Sequence, residues 1–255
     1  MDLGLDGKRA LVGGGSSGLG RAIGTSLAAE GANVALAARS GSRLSDVAAA
    51  LGAEAVAADL STVDGPGQAV AAAVSRLGGL DLLLVNSGGP PGGDFEQLDE
   101  AAWTTAIDGV LLSALRLIRA ALPHLRASSA PAILIILSSS AREPIPGLTT
   151  SNVLRPGLAG LIKSLTAEIA PIRINGIAPG RVSTDRIAHL DGLRADATGR
   201  SIDDIQREMA GRIPLGRYGD PTEVGRVGAF LLSPAASYVS GAIVPIDGGM
   251  VRALP

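Results

Sequence analysis

The residues best suited to chemistry in this chain are hydroxyls and one guanidinium between positions 138 and 155. Ser138 follows the apolar run 132–137, and Ser151 and Arg155 stand further along the chain. A serine hydroxyl both donates and accepts hydrogen bonds, so it can hold a carbonyl oxygen. A guanidinium stays protonated, so it can bind an anion or polarise an oxygen but cannot shuttle a proton. Structural roles are open as well: Ser138 as a strand-end cap, Ser151 as a turn residue and Arg155 as an ion-pair partner.

Pro156 bears on whether Ser151 and Arg155 share a helix. Residues four apart lie on one helix face, so Arg155 would approach Ser151 if 151–155 were helical. A proline inside a helix removes a hydrogen bond and clashes with the carbonyl four residues back, whereas it suits the first helical position. The sequence therefore predicts a helix that begins near Pro156, with 151–155 in a loop and Arg155 free to point elsewhere.

His189 is a second candidate for acid–base chemistry. It is one of two histidines and lies in a polar stretch of the chain. An imidazole changes its charge near neutral pH and can therefore transfer a proton. The polar surroundings favour the alternative, a solvated histidine with no part in chemistry.

A glycine-rich segment, GGGSSGLG at 13–20, separates an apolar run from an Ala-rich stretch. Glycine lets the backbone turn tightly and leaves main-chain N–H groups open to a pyrophosphate. The positive end of the following helix would point at the same phosphate. A tight strand–helix turn without a ligand gives the same pattern. The residues predicted to bind a dinucleotide here are Gly14, Ser16, Ser17, Gly18, Leu19 and Gly20.

Polar or small residues also follow two later apolar runs. Asp59 and Leu60 come after the third run, and Asn86 and Gly88 come after the fourth. Open parallel sheets bind ligands at the carboxyl ends of their strands, where these residues would meet the glycine-rich segment. Three such segments together favour dinucleotide binding over a turn without a ligand.

The end of the second apolar run indicates which nicotinamide cofactor is bound. Residues 36–40 include no acidic side chain, which would bind the ribose 2′-OH of NAD(H). Arg39 instead offers a guanidinium suited to the 2′-phosphate of NADP(H), with Ser40 and Arg43 nearby. A solvated surface arginine is the alternative. We predict NADP(H) as the cofactor.

Short apolar runs alternate with Ala-rich stretches, which is typical of a doubly wound α/β fold with a parallel sheet. The expected strands are 10–13, 33–38, 54–58, 80–85, 132–137, 172–178 and 242–246, and the expected helices include 19–29, 68–77, 101–126 and 158–170. No linker divides the chain, so we expect a single domain, 1–255. Region 187–213 is polar and interrupts the alternation, which by composition alone is compatible with a surface helical insertion.

Composition limits the partners of this 255-residue chain. It has no cysteine, which excludes disulfides, thiol catalysis and cysteine-based metal sites; we expect no metal site. Its net charge of −2 offers no electrostatic footprint for nucleic acid or an anionic membrane. The longest apolar run, 132–137, is too short for a membrane span, and the N-terminus lacks signal-peptide architecture. We therefore expect a cytoplasmic protein that binds neither nucleic acid nor membrane.

Together these segments resemble the short-chain dehydrogenase/reductase family, in particular its branch of 3-oxoacyl-(acyl-carrier-protein) reductases. The matching segments are the glycine-rich loop at 13–20, Asn-Ser-Gly-Gly at 86–89, Pro179 and Gly180 with Thr184, and the C-terminal signature at 219–249. The resemblance spans nearly the whole chain. It implies a single-domain Rossmann fold with a seven-stranded sheet.

The resemblance also implies roles for particular segments. Asp59 would hydrogen-bond the adenine, while Pro179, Gly180 and Thr184 would complete the cofactor site. Region 187–213 would be a lid over the substrate. The family usually forms dimers or tetramers through the helices corresponding to 101–126 and 157–170, so we expect a homodimer or homotetramer.

The acid–base side departs from the family pattern. The family uses Ser, Tyr and Lys, with an Asn from the preceding long helix; the tyrosine exchanges the proton at the carbonyl oxygen, and the lysine lowers its pKa. Here Ser138 is kept, but Ser151 stands in the place of Tyr, Arg155 in that of Lys and Val110 in that of Asn. A serine hydroxyl is a poorer acid than a phenol, so an unchanged mechanism is not expected.

The leading hypothesis is a divergent NADP(H)-dependent oxidoreductase that acts on a carbonyl or alcohol substrate by hydride transfer. Ser138, Ser151 and Arg155 are the predicted catalytic residues, and the proton would come from an atypical donor: water, His189 or the substrate. Two alternatives stay open. One is a cofactor-binding homologue without turnover; the other is a non-redox enzyme, such as an isomerase, dehydratase or cyclase, with Arg155 as the electrophile.

Overall fold

The fold was obtained as a computed structural model, which describes residues 2–39 and 41–253. Within them, seven parallel strands form one sheet in the order β3-β2-β1-β4-β5-β6-β7. The strands are β1 (Arg9–Gly13), β2 (Asn33–Ala38), β3 (Glu54–Ala57), β4 (Leu82–Val85), β5 (Ala132–Ile136), β6 (Arg173–Pro179) and β7 (Ile243–Ile246). Ser40, predicted to lie near the 2′-phosphate, is outside the described residues.

The helices alternate with the strands, as a parallel sheet requires. They are α1 (Gly18–Ala29), α2 (Ser42–Leu51), α3 (Gly65–Leu77), α4 (Glu100–Ala106), α5 (Ser113–Leu125), α6 (Thr149–Glu168), α7 (Asp185–Thr198), α8 (Ile202–Gly211) and α9 (Pro221–Leu232), with a π-helical segment at Ile107–Leu112. The predicted seven-stranded, single-sheet Rossmann architecture is confirmed.

Side chains that alternate along the strands build one core layer on each face of the sheet. On one face Leu83 and Ile133 pack against α3, α5 and α6. On the other face Val12 and Leu36 pack against α1, α2 and α9. Strands buried on both faces explain the nearly continuous apolar runs in the sequence. The polar segments that follow these strands are thereby placed along one edge of the sheet.

The predicted start of the sixth helix was wrong. α6 begins at Thr149 and continues through Pro156, so Ser151 and Arg155 are helical and neither lies in a loop. The first turns are stabilised by tertiary contacts: the Asn152 side chain bonds both the N–H and the carbonyl of Ile145, each at 2.9 Å, and Leu154 is buried. These contacts outweigh the helix-breaking tendency of proline.

Two other regions refine the expected elements. The stretch predicted as one helix at 101–126 is divided by the π-helical segment Ile107–Leu112. The polar region 187–213 is mostly helical and forms α7 and α8, which share a small cluster of Ala195, Ile205 and Met209. Across residues 2–39 and 41–253, no helix is long and apolar enough to cross a membrane.

Candidate functional site

A cleft of about 1230 Å³ opens at the carboxyl ends of the strands. Every residue predicted to bind the cofactor lines it except Gly20, and so do all three predicted catalytic residues. The cofactor residues on its wall are Gly14, Ser16, Ser17, Gly18, Leu19, Arg39, Asp59, Leu60, Asn86, Gly88, Pro179, Gly180 and Thr184; the catalytic candidates are Ser138, Ser151 and Arg155. Positions far apart in the chain are thus brought to one space.

The glycine-rich turn is shaped by close packing against Asn86. Gly14 has φ +61°, and a Cβ there would lie 2.5 Å from Asn86 Nδ2. The same Nδ2 donates to the Gly13 carbonyl at 3.2 Å. Gly20 lies behind the cleft wall, where a Cβ would collide with the carbonyl oxygen of Gly14. Only glycine fits these two positions, because any Cβ would clash. The absence of a side chain at Gly14 also leaves its main chain open to the cleft.

The start of α1 is suited to an anion. Its N-cap residue, Ser17, makes no side-chain capping bond to the first turn. The first N–H groups of the helix therefore have no side-chain acceptor there, and the helix dipole adds positive potential. Because Ser17 and Gly18 line the cleft, a phosphate can reach these N–H groups. The residues present fit the pyrophosphate of a dinucleotide.

The part of the cleft beside the ends of β2 and β3 carries Arg39 and Asp59. Arg39 is exposed at the end of β2. The Asp59 carboxylate accepts bonds from the N–H and hydroxyl of Ser61, at 2.9 and 2.7 Å. These bonds, and then the charge of Arg39, hold the pKa of Asp59 below its usual range. Asp59 is therefore an ionised acceptor at neutral pH, as contact with an adenine amino group requires.

Thr184 lies between β6 and α7. It is the N-cap of α7, and its hydroxyl accepts from the Ile187 N–H at 3.4 Å. A Cβ on Gly18 would lie 3.8 Å from the Thr184 methyl group, so the glycine-rich turn and this cap approach each other. Gly180 packs on Asp247, where a Cβ would lie 2.8 Å from the Asp247 Cβ.

Ser138, Ser139 and Ser140 follow the end of β5, and Ser151 of α6 lies beside them. Ser138 caps a short 3-10 helix, Ser139–Ala141, and accepts from the Ser140 N–H at 3.1 Å. The hydroxyl oxygens of Ser140 and Ser151 are 2.9 Å apart, and both side chains are buried. Ser151 is therefore a helical residue in a hydroxyl pair, and the reading of it as a turn residue was wrong. Ser140 was not predicted, because its partner is brought close only by the fold.

Arg155 is 9% exposed and extends from α6 to two strand ends. Its Nη1 donates to the Ile136 carbonyl at 2.6 Å and its Nη2 to the Gly88 carbonyl at 3.3 Å, while its Nε has no partner. The alternative of an ion pair was wrong, since its partners among the described residues are carbonyls. Burial, and then the charge of Arg186, lower the pKa of Arg155 to about 10, which leaves it protonated at neutral pH.

Arg186 is a cleft residue that sequence reasoning missed. It lies in the first turn of α7, and its Nη2 donates to the Pro90 carbonyl at 3.0 Å. Its guanidinium lies against Gly89, because a Cβ on Gly89 would overlap it. The only signal in the sequence was a basic residue two positions after Thr184. That signal could not be interpreted from the sequence, because Arg186 reaches the cleft only through the packing of α7 over the turn that follows β4.

Neither Val110, at the position of the family's asparagine, nor His189 contributes a polar group to the cleft wall. Val110 is buried in the π-helical segment, and the neighbouring Gly109 carbonyl accepts a bond from the Ser87 hydroxyl. His189 is exposed on α7 and is not part of the cleft wall. Residues 2–39 and 41–253 contain no cluster of three or more His, Cys, Asp or Glu side chains able to hold a metal ion.

Comparison with known proteins identifies the fold family. A family model described as "Enoyl-(Acyl carrier protein) reductase" matches residues 14–251. The chain is 31% identical over 251 residues to the 3-oxoacyl-(acyl-carrier-protein) reductase of Staphylococcus aureus strain Mu50, with 95% of this chain and 98% of that protein covered.

Solved structures agree along the full length. The L-sorbose reductase from Gluconobacter frateurii complexed with NADPH and L-sorbose has a TM-score of 0.94 and 31% identity, with 100% of both chains covered. An NADPH-bound short chain oxidoreductase from Pseudomonas aeruginosa PAO1, described as containing an atypical catalytic center, has a TM-score of 0.87 and 31% identity, with 96% and 97% covered. With its parallel seven-stranded sheet and matching family model, the chain belongs to the short-chain dehydrogenase/reductase family.

Proposed function

We propose that this protein is an NADP(H)-dependent oxidoreductase that interconverts a small carbonyl compound and its alcohol, with an atypical site for the proton. The observation that carries the proposal is the shared cleft. Predicted cofactor residues from β1, β2, β3, β4 and β6 line the same space as Ser138, Ser151 and Arg155.

The cofactor would be held by this chain's own anion and polar sites. The open start of α1 would receive the pyrophosphate, and Arg39 the 2′-phosphate. Asp59 would accept from the adenine, with Asn86, Gly88 and Thr184 along the remaining length. The NADPH bound by the similar reductases of G. frateurii and P. aeruginosa agrees with the predicted NADP(H) preference.

When bound, the nicotinamide supplies or removes a hydride, so the protein must manage the charge and proton at the substrate oxygen. Ser138 and Ser151 are suited to hold that oxygen by hydrogen bonds. Arg155 stabilises negative charge that develops there, because a protonated guanidinium in a partly desolvated site is an effective electrostatic partner. This replaces the stabilisation that a lysine would give, but not the acidity of a phenol.

The proton itself would reach the substrate oxygen through Ser151. Its hydroxyl would donate to that oxygen while its own oxygen takes a proton from water in the cleft, which leaves a hydroxide that bulk solvent re-protonates. The bond with Ser140 would orient the Ser151 hydroxyl. Arg155 stays protonated at neutral pH and His189 lies outside the cleft wall, so neither serves as the donor in this proposal.

Residues 187–213 would act as the substrate lid within the single domain 1–255. α7 is held near its middle by Asp191, which is fully buried and accepts bonds from Arg181 and from the Tyr218 hydroxyl, the latter at 3.0 Å. Beyond this anchor, α7 and α8 pack mainly on their own small cluster, as expected for an element that moves separately from the core.

The test begins with NADPH fluorescence titration of the purified protein, followed by turnover with a panel of aldehydes and ketones. We expect saturable NADPH binding and carbonyl-dependent NADPH oxidation. Ser151→Ala and Arg155→Gln should each lower kcat by about a hundredfold, the size of effect seen when one general acid or one charge-stabilising donor is removed. NADPH affinity should change little in Ser151→Ala.

Failure to bind NADPH at millimolar concentration would overturn the proposed function. A second candidate is favoured by one specific observation: Val110, Ser151 and Arg155 replace three polar groups that the resemblance implies. If NADPH binds tightly and no carbonyl compound is turned over, a cofactor-binding protein without redox activity is the better description.

A further inference from the structure

We propose that the substrate is an oxo acid or hydroxy acid, and that Arg155 and Arg186 together bind its carboxylate. This inference rests on the proposed function and names the substrate class for the same cleft.

The first support is the charge of the cleft wall. The wall includes eight arginines, at 39, 43, 155, 181, 186, 194, 212 and 252, and three acidic residues, Asp59, Glu143 and Asp185. Since the whole chain has a net charge of −2, this excess is local. Four of the arginines form ion pairs, namely Arg43, Arg181, Arg194 and Arg212. Among the described residues, neither Arg155 nor Arg186 has a carboxylate within ion-pair distance.

The second support is that two of the four wall arginines outside these ion pairs, Arg155 and Arg186, converge on one short segment. Arg155 donates to the Gly88 carbonyl and Arg186 to the Pro90 carbonyl, with Gly89 between them. Burial is the larger cause of the lowered pKa of Arg155, and the charge of Arg186 lowers that pKa further. The two like charges repel each other, with partial screening because Arg186 is exposed, and an anion bound between them would offset that repulsion.

The third support is the buried state of Arg155. Charged side chains are rarely buried without a paired charge, because the loss of hydration is costly. Arg155 is 9% exposed, has two carbonyl acceptors and leaves its buried Nε without one. Carbonyls satisfy some of its N–H groups but bring no negative charge. A carboxylate would supply that charge in a planar form that a guanidinium binds well.

Position separates this anion from the cofactor phosphates. The proposed phosphate sites lie at the ends of β1 and β2, at the start of α1 and at Arg39. Arg155 instead bridges the ends of β4 and β5 through Gly88 and Ile136, and Ser138 follows that same end of β5. An anion at Arg155 would therefore lie on the side of the reacting carbonyl.

The test compares matched substrates in which a methyl ester replaces the carboxylate and so removes its charge: acetoacetate with methyl acetoacetate, 2-oxobutanoate with its methyl ester, and levulinate with methyl levulinate. We expect at least one acid to have a kcat/KM about ten to a hundredfold above its ester, the factor for a charge-assisted contact. Arg186→Gln should remove this preference by raising KM for the acid far more than for its ester. Arg207→Gln, an exposed change on α8, is the matched control.

Binding without turnover gives an independent readout. Calorimetric titration of each acid and its ester into the protein saturated with NADP⁺, which cannot reduce the carbonyl group, should show tighter binding of the favoured acid, lost in Arg186→Gln and retained in part in Arg155→Lys. If Arg186→Gln weakens NADPH binding about tenfold and leaves acid binding unchanged, the guanidinium serves the cofactor phosphates and the proposal is overturned. Because Arg155 is buried, circular dichroism of its variants must match that of the parent protein.

The outcomes keep the two proposals apart. A protein that binds no NADPH refutes the proposed function. A protein that binds NADPH but shows no preference for any acid over its ester, in turnover or in binding, refutes the carboxylate proposal alone. Acid preference retained in full in Arg186→Gln would also overturn it.

Discussion

Arg155 shows how one residue can change its meaning between sequence and structure. In the sequence, Arg155 is a cation at the position where the family has a lysine, and Pro156 follows it. In the fold it spans the ends of β4 and β5 and has no carboxylate partner among the described residues. Burial lowers its pKa to about 10 without removing its charge at neutral pH. In the proposed reaction its role is therefore electrostatic, and the proposal assigns proton transfer to another group.

Arg39 gives a prediction at the same scale. Arg39→Gln should weaken NADPH binding about ten to a hundredfold, because it removes a charge-assisted bond to the 2′-phosphate. NADH has no such phosphate, so its affinity in the same variant should stay within about twofold and serves as the control. Fluorescence titration with both cofactors measures the two constants. An equal loss for both would show that Arg39 supports the fold or the adenosine site instead.

At the scale of elements, α6 is the segment that assembles the unusual side of the cleft. It places Ser151 against Ser140 and Arg155 against the two strand ends, in spite of Pro156. Pro156 has no N–H to give to the Asn152 carbonyl, so α6 loses one helix bond at this turn. The neighbouring burial and the Asn152 side-chain bonds make up for that loss.

Pro156→Ala should raise the free energy of unfolding by about 1 to 3 kcal/mol, because it restores a helix bond and removes a clash, less the entropy that the unfolded chain regains. Urea unfolding monitored by circular dichroism measures this. Pro221→Ala is the matched control: Pro221 stands in the first turn of α9, where proline is favourable, and its replacement should bring no gain. A loss of stability in Pro156→Ala would mean that α6 needs the shape of the proline.

At the scale of the whole molecule, one ion pair ties the amino ends of neighbouring strands. Asp81, 6% exposed, accepts from Arg9 Nε and Nη2 at 2.8 and 2.9 Å and from the Ser128 hydroxyl at 2.6 Å. Burial acts to raise the pKa of Asp81, but the bonds from Arg9 and Ser128 and the charge of Arg9 outweigh it and hold the pKa well below its usual range. Its contribution to stability is present above pH ~4 and is lost as the pH falls through the lowered pKa.

Asp81→Asn should therefore lower the free energy of unfolding at neutral pH by about 2 to 3 kcal/mol, somewhat less than for a fully buried pair because Arg9 is partly exposed. The difference from the parent protein should shrink below pH ~4. Urea unfolding at a series of pH values tests this, with the exposed Arg207→Gln variant as a control expected to change nothing measurable. A difference that stays constant down to pH ~3 would rule out the ionised carboxylate as its source.

The predicted homodimer or homotetramer also belongs to this scale. Gly160 on α6 is exposed, and a Cβ there would meet nothing within 4 Å, so the chain itself tolerates a side chain at this position. If α6 joins copies of the chain, Gly160→Glu should shift sedimentation from an oligomer toward the monomer without unfolding it. Gly67→Glu on α3, also exposed and open, should leave the oligomer intact. A parent protein that sediments as a monomer contradicts the prediction.

Local patterns in the sequence were enough to predict the sheet and the glycine-rich turn, and to select residues that the fold brings to one cleft. Apolar runs indicate which segments are buried, and glycines indicate where the backbone turns. Both signals depend on residues that are adjacent in the chain. Helix boundaries were less predictable, because the start of α6 depends on tertiary contacts that override the local effect of Pro156.

The sequence by itself determined the family, the doubly wound architecture and the absence of a phenol and an ammonium at positions 151 and 155. Only the tertiary structure decided that Ser140 pairs with Ser151, that Arg155 lacks a carboxylate among the described residues, and that Arg186 joins it beside Gly89. The physical reason is that electrostatic environment depends on distance and burial in three dimensions. Those quantities are set by packing between segments that are remote in the chain.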